Sequence, residues 1–206
     1  MKKHFSKIMS LVLALSMMLC MAVSASAAEI DTSGGSGSTP VNLSSTSDGT
    51  TGGDPSATAM RVTVPTALPM AMSQDGDVTT ANNCQIVNNS YGAVRVKSVS
   101  ITAASGWKLT AFGSKSSLAG EKVDANKLGF AVSIGGGTQS ATDASNTNAQ
   151  NLITAPITGC YMTGVGDTTG NAVSIDYAAI VTPLSSAVTN ATVASVVFIV
   201  EWDTAA

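Results

Sequence analysis

The sequence predicts an all-β protein: an Ig-like or jelly-roll-like antiparallel β-sandwich, preceded by a secretory signal peptide and a flexible leader. Three observations carry this. Short runs rich in Val, Ile and Thr alternate apolar with polar side chains. Gly, Asn, Ser and Pro divide those runs at a spacing of roughly ten residues. Beyond residue 27 no stretch sustains a helical period.

The first 27 residues read as a signal peptide. Lys2, Lys3 and Lys7 form a basic start, residues 8–23 an apolar run, and Ala25-Ser26-Ala27 a small-x-small cleavage site. The run is short for a span of ~20 apolar residues, so no membrane association is expected after cleavage. Cleavage removes His4, the only histidine, and three of the ten basic side chains, leaving seven against thirteen acidic ones. No basic patch remains to hold a phosphate backbone, so nucleic acid is excluded as a partner.

Residues 28–59 are rich in Gly, Ser and Thr and too poor in apolar side chains to offset ordering entropy. Within them, residues 39–45 alternate Val41 and Leu43 with polar neighbours, the pattern of one strand on a flexible tether. Such a strand folds back on its own domain or adds to a sheet edge of a neighbouring molecule.

The folded domain is expected over 60–206. "AMRVTV" places Met60, Val62 and Val64 on one face of a half-buried strand, ended by Pro65. "SQDGDVTT" carries the Asp-Gly of a hairpin turn. Asp75 and Asp77 lack the further ligands of a calcium loop. "CQIV" and a "NNSYG" turn follow. In the next strand Val94 and Val96 have one parity and Val99 and Ile101 the other, which predicts a β-bulge near Lys97-Ser98. "GWKLTAF" sets Trp107, Leu109 and Ala111 on one face, which favours Trp107 as a buried element over an exposed ligand platform. "LGFAVSI" is a strand, and 135–150 reads as a long polar surface loop. "NAVSIDYAAIV" keeps Val173, Ile175, Tyr177, Ala179 and Val181 in register. The last run, "TVASVVFIVEWDT", is apolar on both faces, which predicts a central strand or one covered on both sides. The first and last core strands are expected to pair, as in a Greek key.

Nothing in the folded region resembles a catalytic set. Without histidine, Ser-His, Cys-His and His-metal chemistry are removed together. Asp176 and Glu201 lie within strands, but their pattern is that of solvent-facing positions rather than a paired carboxylate site. "SGWK", Ser105 to Lys108, has S-x-x-K spacing, yet on a strand i and i+3 point to opposite faces. No cofactor and no metal are expected, and the surface is left to work by binding or assembly. Cys84 and Cys160 remain after cleavage; in an oxidising compartment they either pair or stay as two separate buried thiols.

"SITAASGWKLTAF" resembles the first Trp-x-Leu motif of WxL-type cell-surface domains of low-GC Gram-positive bacteria, with Trp107 and Leu109 at the motif positions. Trp202 occupies the place of the second motif on the last strand, and Thr204 stands where Leu belongs. "VTVPTALP" and "QIVNNSYGAVRVKSVSI" more remotely resemble camelysin-type biofilm-matrix fibre proteins. The resemblance implies a secreted, cell-wall-associated β-sandwich. WxL domains attach non-covalently to peptidoglycan; the fibre proteins polymerise through a donated N-terminal strand. The expected partners are therefore peptidoglycan or another cell-surface glycan, and other copies of the chain, through a donor strand bearing Val41 and Leu43. A carbohydrate-binding adhesin, with Tyr91 and Tyr161 stacking on sugar rings, is the third expectation.

Overall fold

β-Branched side chains at alternate positions build the strands, and the turns between them fall at Gly, Asn and Pro. The structure, a computed structural model, describes residues 58–204. The signal peptide, the leader and the 39–45 strand with Val41 and Leu43 lie outside the described residues. Thr58–Ala206 forms one compact unit. Its strands are β1 Val62–Thr63, β2 Met70–Met72, β3 Val78–Thr80, β4 Gln85–Asn88, β5 Val94–Ala103, β6 Lys108–Leu109, β7 Lys127–Ile134, β8 Ser140–Ala141, β9 Ala149–Ile153, β10 Tyr161–Met162, β11 Ala172–Val181 and β12 Ala194–Trp202. A single 3₁₀ turn spans Lys115–Leu118.

These strands make a β-sandwich, antiparallel except for the short β6–β7 pair. One sheet runs β1-β4-β11-β7-β6, with β8 also on β7; the other runs β10-β5-β12, with β9 also on β5. The β2–β3 hairpin stands apart, turning at the Asp-Gly where Gly76 has φ 78°. The two sheets face each other through the inward rows of β5 (Val94, Val96, Val99, Ile101), β7 (Phe130, Val132, Ile134) and β11 (Val173, Ile175, Tyr177). The Phe130 and Tyr177 rings stack with centroids 6.0 Å apart.

The predicted bulge is present. β12 pairs Ile199 with Ser98 and then Val200 with Val96, so Lys97 is the extra residue on β5. The parity change along β5 thus keeps Val94, Val96, Val99 and Ile101 all fully buried. β11 keeps the expected register, with Val173, Ile175, Tyr177, Ala179 and Val181 all buried.

Four expectations are corrected. The first and last core strands do not pair: β1 lies on β4 and β12 on β5. β1 is a two-residue edge, and Met60 and Val64 on either side of it are exposed. The stretch 135–150 is not one structureless loop, because β8 pairs with β7 and Thr147 bridges to Leu109. Finally, β12 is not central. It ends its sheet, and outward-facing Val197 and Ile199 are each 50% exposed.

Candidate assembly edge and aromatic end

β12 is long, apolar on both faces and paired on one side. Its inward residues, Val196, Phe198, Val200 and Trp202, pack against the core but remain only half-buried. Among the described residues no strand pairs with its other edge. The backbone direction can be read from the strand ends. Ala104 N–H donates to the Val193 carbonyl, and Asp203 N–H donates to the Ala93 carbonyl, so the odd-numbered backbone of β12 points at β5. By alternation, the N–H and C=O groups of Ala194, Val196, Phe198, Val200 and Trp202 point to the free edge. The side chains that face inward therefore belong to the residues whose backbone is open to an added strand.

Beside this edge runs a groove of about 1490 Å³, lined by Leu68, Met72, Trp107, Phe130, Val196 and Phe198 among others. Its far wall is the β2–β3 hairpin, pinned by the buried Tyr177. The Tyr177 hydroxyl donates to the Pro69 carbonyl and accepts from Ala81 N–H at 3.2 Å, while Thr80 Oγ1 donates to the Tyr177 carbonyl at 2.8 Å. Burial pushes the Tyr177 phenol above its ordinary pKa, so it stays a neutral donor.

The family-motif residues border this region. Leu109 is fully buried; Trp107 is half-buried, packs on the core and lines the groove. The expected alternation stops at Leu109, where β6 ends. Ala111 is exposed, and Thr110 turns inward instead, its carbonyl accepting from Thr142 Oγ1 at 2.6 Å. Trp202 closes β12, with its ring against Gly92, where a Cβ would lie 3.0 Å from Cζ3.

Trp202 belongs to the aromatic end of the sandwich. The cross-strand row Met162–Val94–Trp202 faces the core, and the next row, Tyr161–Arg95–Glu201, faces out. Arg95 Nε donates to Glu201 at 2.9 Å and Lys97, the bulged residue, reaches the same carboxylate at 3.0 Å. Lys97 first, and Arg95 with it, holds the Glu201 carboxyl below the usual carboxylate range. Tyr161 is half-exposed, and Tyr91 is 87% exposed on the β4–β5 turn. That turn is anchored: Asn88 Nδ2 donates to the carbonyls of Gly92 and Thr163, and Val165 N–H donates to that of Ser90. The structure thus brings Tyr91, Tyr161 and Trp202 to one end of the molecule.

Other candidate residues are not brought together. Asp176 lies on β11 and Glu201 on β12, in different sheets, so no carboxylate pair forms. Cys84 and Cys160 are free thiols, the second of the two arrangements the sequence left open. They precede β4 and β10, strands of different sheets, and Cys160 is fully buried in the core. Burial raises the Cys160 thiol above its ordinary pKa and keeps it protonated and unreactive. Asp77 and Asp75 serve the hairpin turn, where Lys115 Nζ binds Asp77 Oδ1 at 2.5 Å and the Asp75 carbonyl at 3.0 Å.

Comparison with protein families, with curated proteins and with solved structures finds no match to this chain.

Proposed function

We propose that this is a secreted, non-enzymatic cell-surface protein that acts by assembly, as an extracellular matrix or fibre subunit joined by β-strand addition at β12. One observation carries the reading: a nine-residue strand, apolar on both faces, whose free edge opens beside an apolar groove. An exposed, long and hydrophobic edge is a template for another strand unless charge, proline or a covering loop blunts it. β12 contains no proline, and its one charged residue, Glu201, is neutralised by Arg95 and Lys97. Strand addition satisfies the open N–H and C=O groups and buries the half-exposed inner row together.

The test is Val196→Pro. Proline at 196 removes an N–H that points to the free edge and leaves the ladder to β5 intact, a position where sheets tolerate it. The wild-type chain should form multimers or filaments in sedimentation and electron microscopy. The folded variant should stay monomeric; unchanged assembly would sink the reading.

A second reading, non-covalent contact with peptidoglycan or another surface glycan, is supported by the anchored and exposed tyrosines at the aromatic end. Aromatic faces joined to polar tips suit sugar rings. Retention of the secreted protein on purified peptidoglycan should fall for Tyr91→Ala and Tyr161→Ala, with the melting temperature unchanged. Retention equal to wild type removes these residues from any glycan site.

A further inference from the structure

We infer that the strand added at β12 is β12 of a second copy, antiparallel and centred on Phe198, so that the building unit is a two-fold dimer. This rests on the strand-addition reading and names its partner. The sequence of β12, "ASVVFIVEW", is close to self-complementary about its middle. Pairing two copies about Phe198 sets Phe198 against Phe198, Val196 against Val200 and Ala194 against Trp202. Inward side chains meet only inward ones, and the largest residue of the strand meets the smallest. On the outer face Val197 meets Ile199, the two exposed aliphatic side chains of the strand, and Ser195 meets Glu201.

Backbone chemistry agrees with this register. The inward residues carry the open N–H and C=O groups, so Phe198 with Phe198, Val196 with Val200 and Ala194 with Trp202 become hydrogen-bonded pairs that exchange two bonds each. Charge agrees as well. The strand's only charges, the two Glu201 carboxylates, fall at opposite ends, about 20 Å apart at ~3.3 Å per residue and well beyond the ~8 Å screening length. Neighbouring registers are poorer. Centring on Ile199 places Glu201 opposite Val197 and leaves Ala194 and Ser195 unpaired. Centring on Val197 leaves Glu201 and Trp202 unpaired. A two-fold interface of this kind is isologous and closed, so strand addition at β12 yields a dimer, and dimerisation is the step that Val196→Pro blocks.

Disulfide trapping tests the register. Val197 and Ile199 form a non-hydrogen-bonded pair in the dimer, with Cα atoms about 4.5 Å apart, inside the window for a disulfide. Tagged Val197→Cys protein mixed with untagged Ile199→Cys protein should oxidise to the mixed species several-fold more than to either homodisulfide. The parent chain, with its native cysteines alone, serves as the control. Absence of that preference, with assembly still blocked by Val196→Pro, overturns the self-pairing and keeps strand addition with another donor. Loss of assembly on deleting residues 31–45, without the mixed disulfide, would identify the leader as that donor. Assembly indifferent to Val196→Pro, or a chain monomeric at every concentration, overturns both.

Discussion

β11 and β12 are built from nearly the same material and meet different fates. Each has nine or ten residues, an inward apolar row and several Val, Ile and aromatic side chains. β11 is paired on both sides, by β4 and β7, and its inward row is buried. Among the described residues β12 is paired on one side, and the corresponding row is half-buried. Residue content therefore does not make a strand a core element. Coverage of its edges does, because a strand loses solvent only when neighbours close both its sides.

Substitutions on the two strands test this contrast. The largest effect is expected for Ile175→Ala on β11, which empties a fully buried site and should cost about 2–5 kcal/mol in urea or thermal unfolding. Phe198→Ala on β12 removes a larger side chain from a half-buried site. It should cost only about 1–2 kcal/mol of monomer stability while abolishing association, which sedimentation would show. Equal losses at the two positions would mean that β12 is as much core as β11. Replacing Val197 and Ile199 together by Lys should change stability by no more than about 0.5 kcal/mol, since both face solvent. It should still suppress dimers, because like charges would then oppose one another across the two-fold axis.

The smallest effect is on pH. Glu201 has a carboxyl pKa below its unfolded value, so its pairing with Lys97 and Arg95 contributes above the unfolded pKa and is lost as pH falls through the folded one. A slight fall in melting temperature through that acid range is expected in wild type and should be smaller in Glu201→Gln, where the hydrogen-bonded Asp124 and Asp167 carboxylates still contribute to it. The exposed, salt-screened position of the pair keeps the change small.

Several features were legible in the residues themselves. The change of parity from Val96 to Val99 located the bulge near Lys97-Ser98, because side-chain direction alternates strictly unless a residue is inserted, and the structure places it at Lys97. Asp75-Gly76 located a hairpin turn, because Gly76 must take a positive φ. β8 escaped notice because Ser140 and Ala141 carry no alternation and pair only through their backbone with β7. Thr110 and Thr142 look like surface residues in sequence. They are buried because each hydroxyl or carbonyl finds a partner, with Thr142 Oγ1 donating to the Thr110 carbonyl and accepting from Phe130 N–H at 3.0 Å. The aromatic end was half legible. Tyr91 and Tyr161 stood out as candidates, but Trp202 joins them only through the register of β10, β5 and β12.

That this chain is built of strands, where most of them turn, and which face of β5, β7 and β11 is apolar all follow from the order of its residues. These are local matters of backbone preference and two-residue periodicity. That β12 ends its sheet among the described residues, that Cys84 and Cys160 stay apart, and that Trp107 borders a groove follow from how the sheets pack. A strand's side chains record what lies above and below it. Its hydrogen-bonding edges are the same peptide groups in every strand, so which of them is left open is written nowhere in the residue pattern and emerges only when the sheets are assembled.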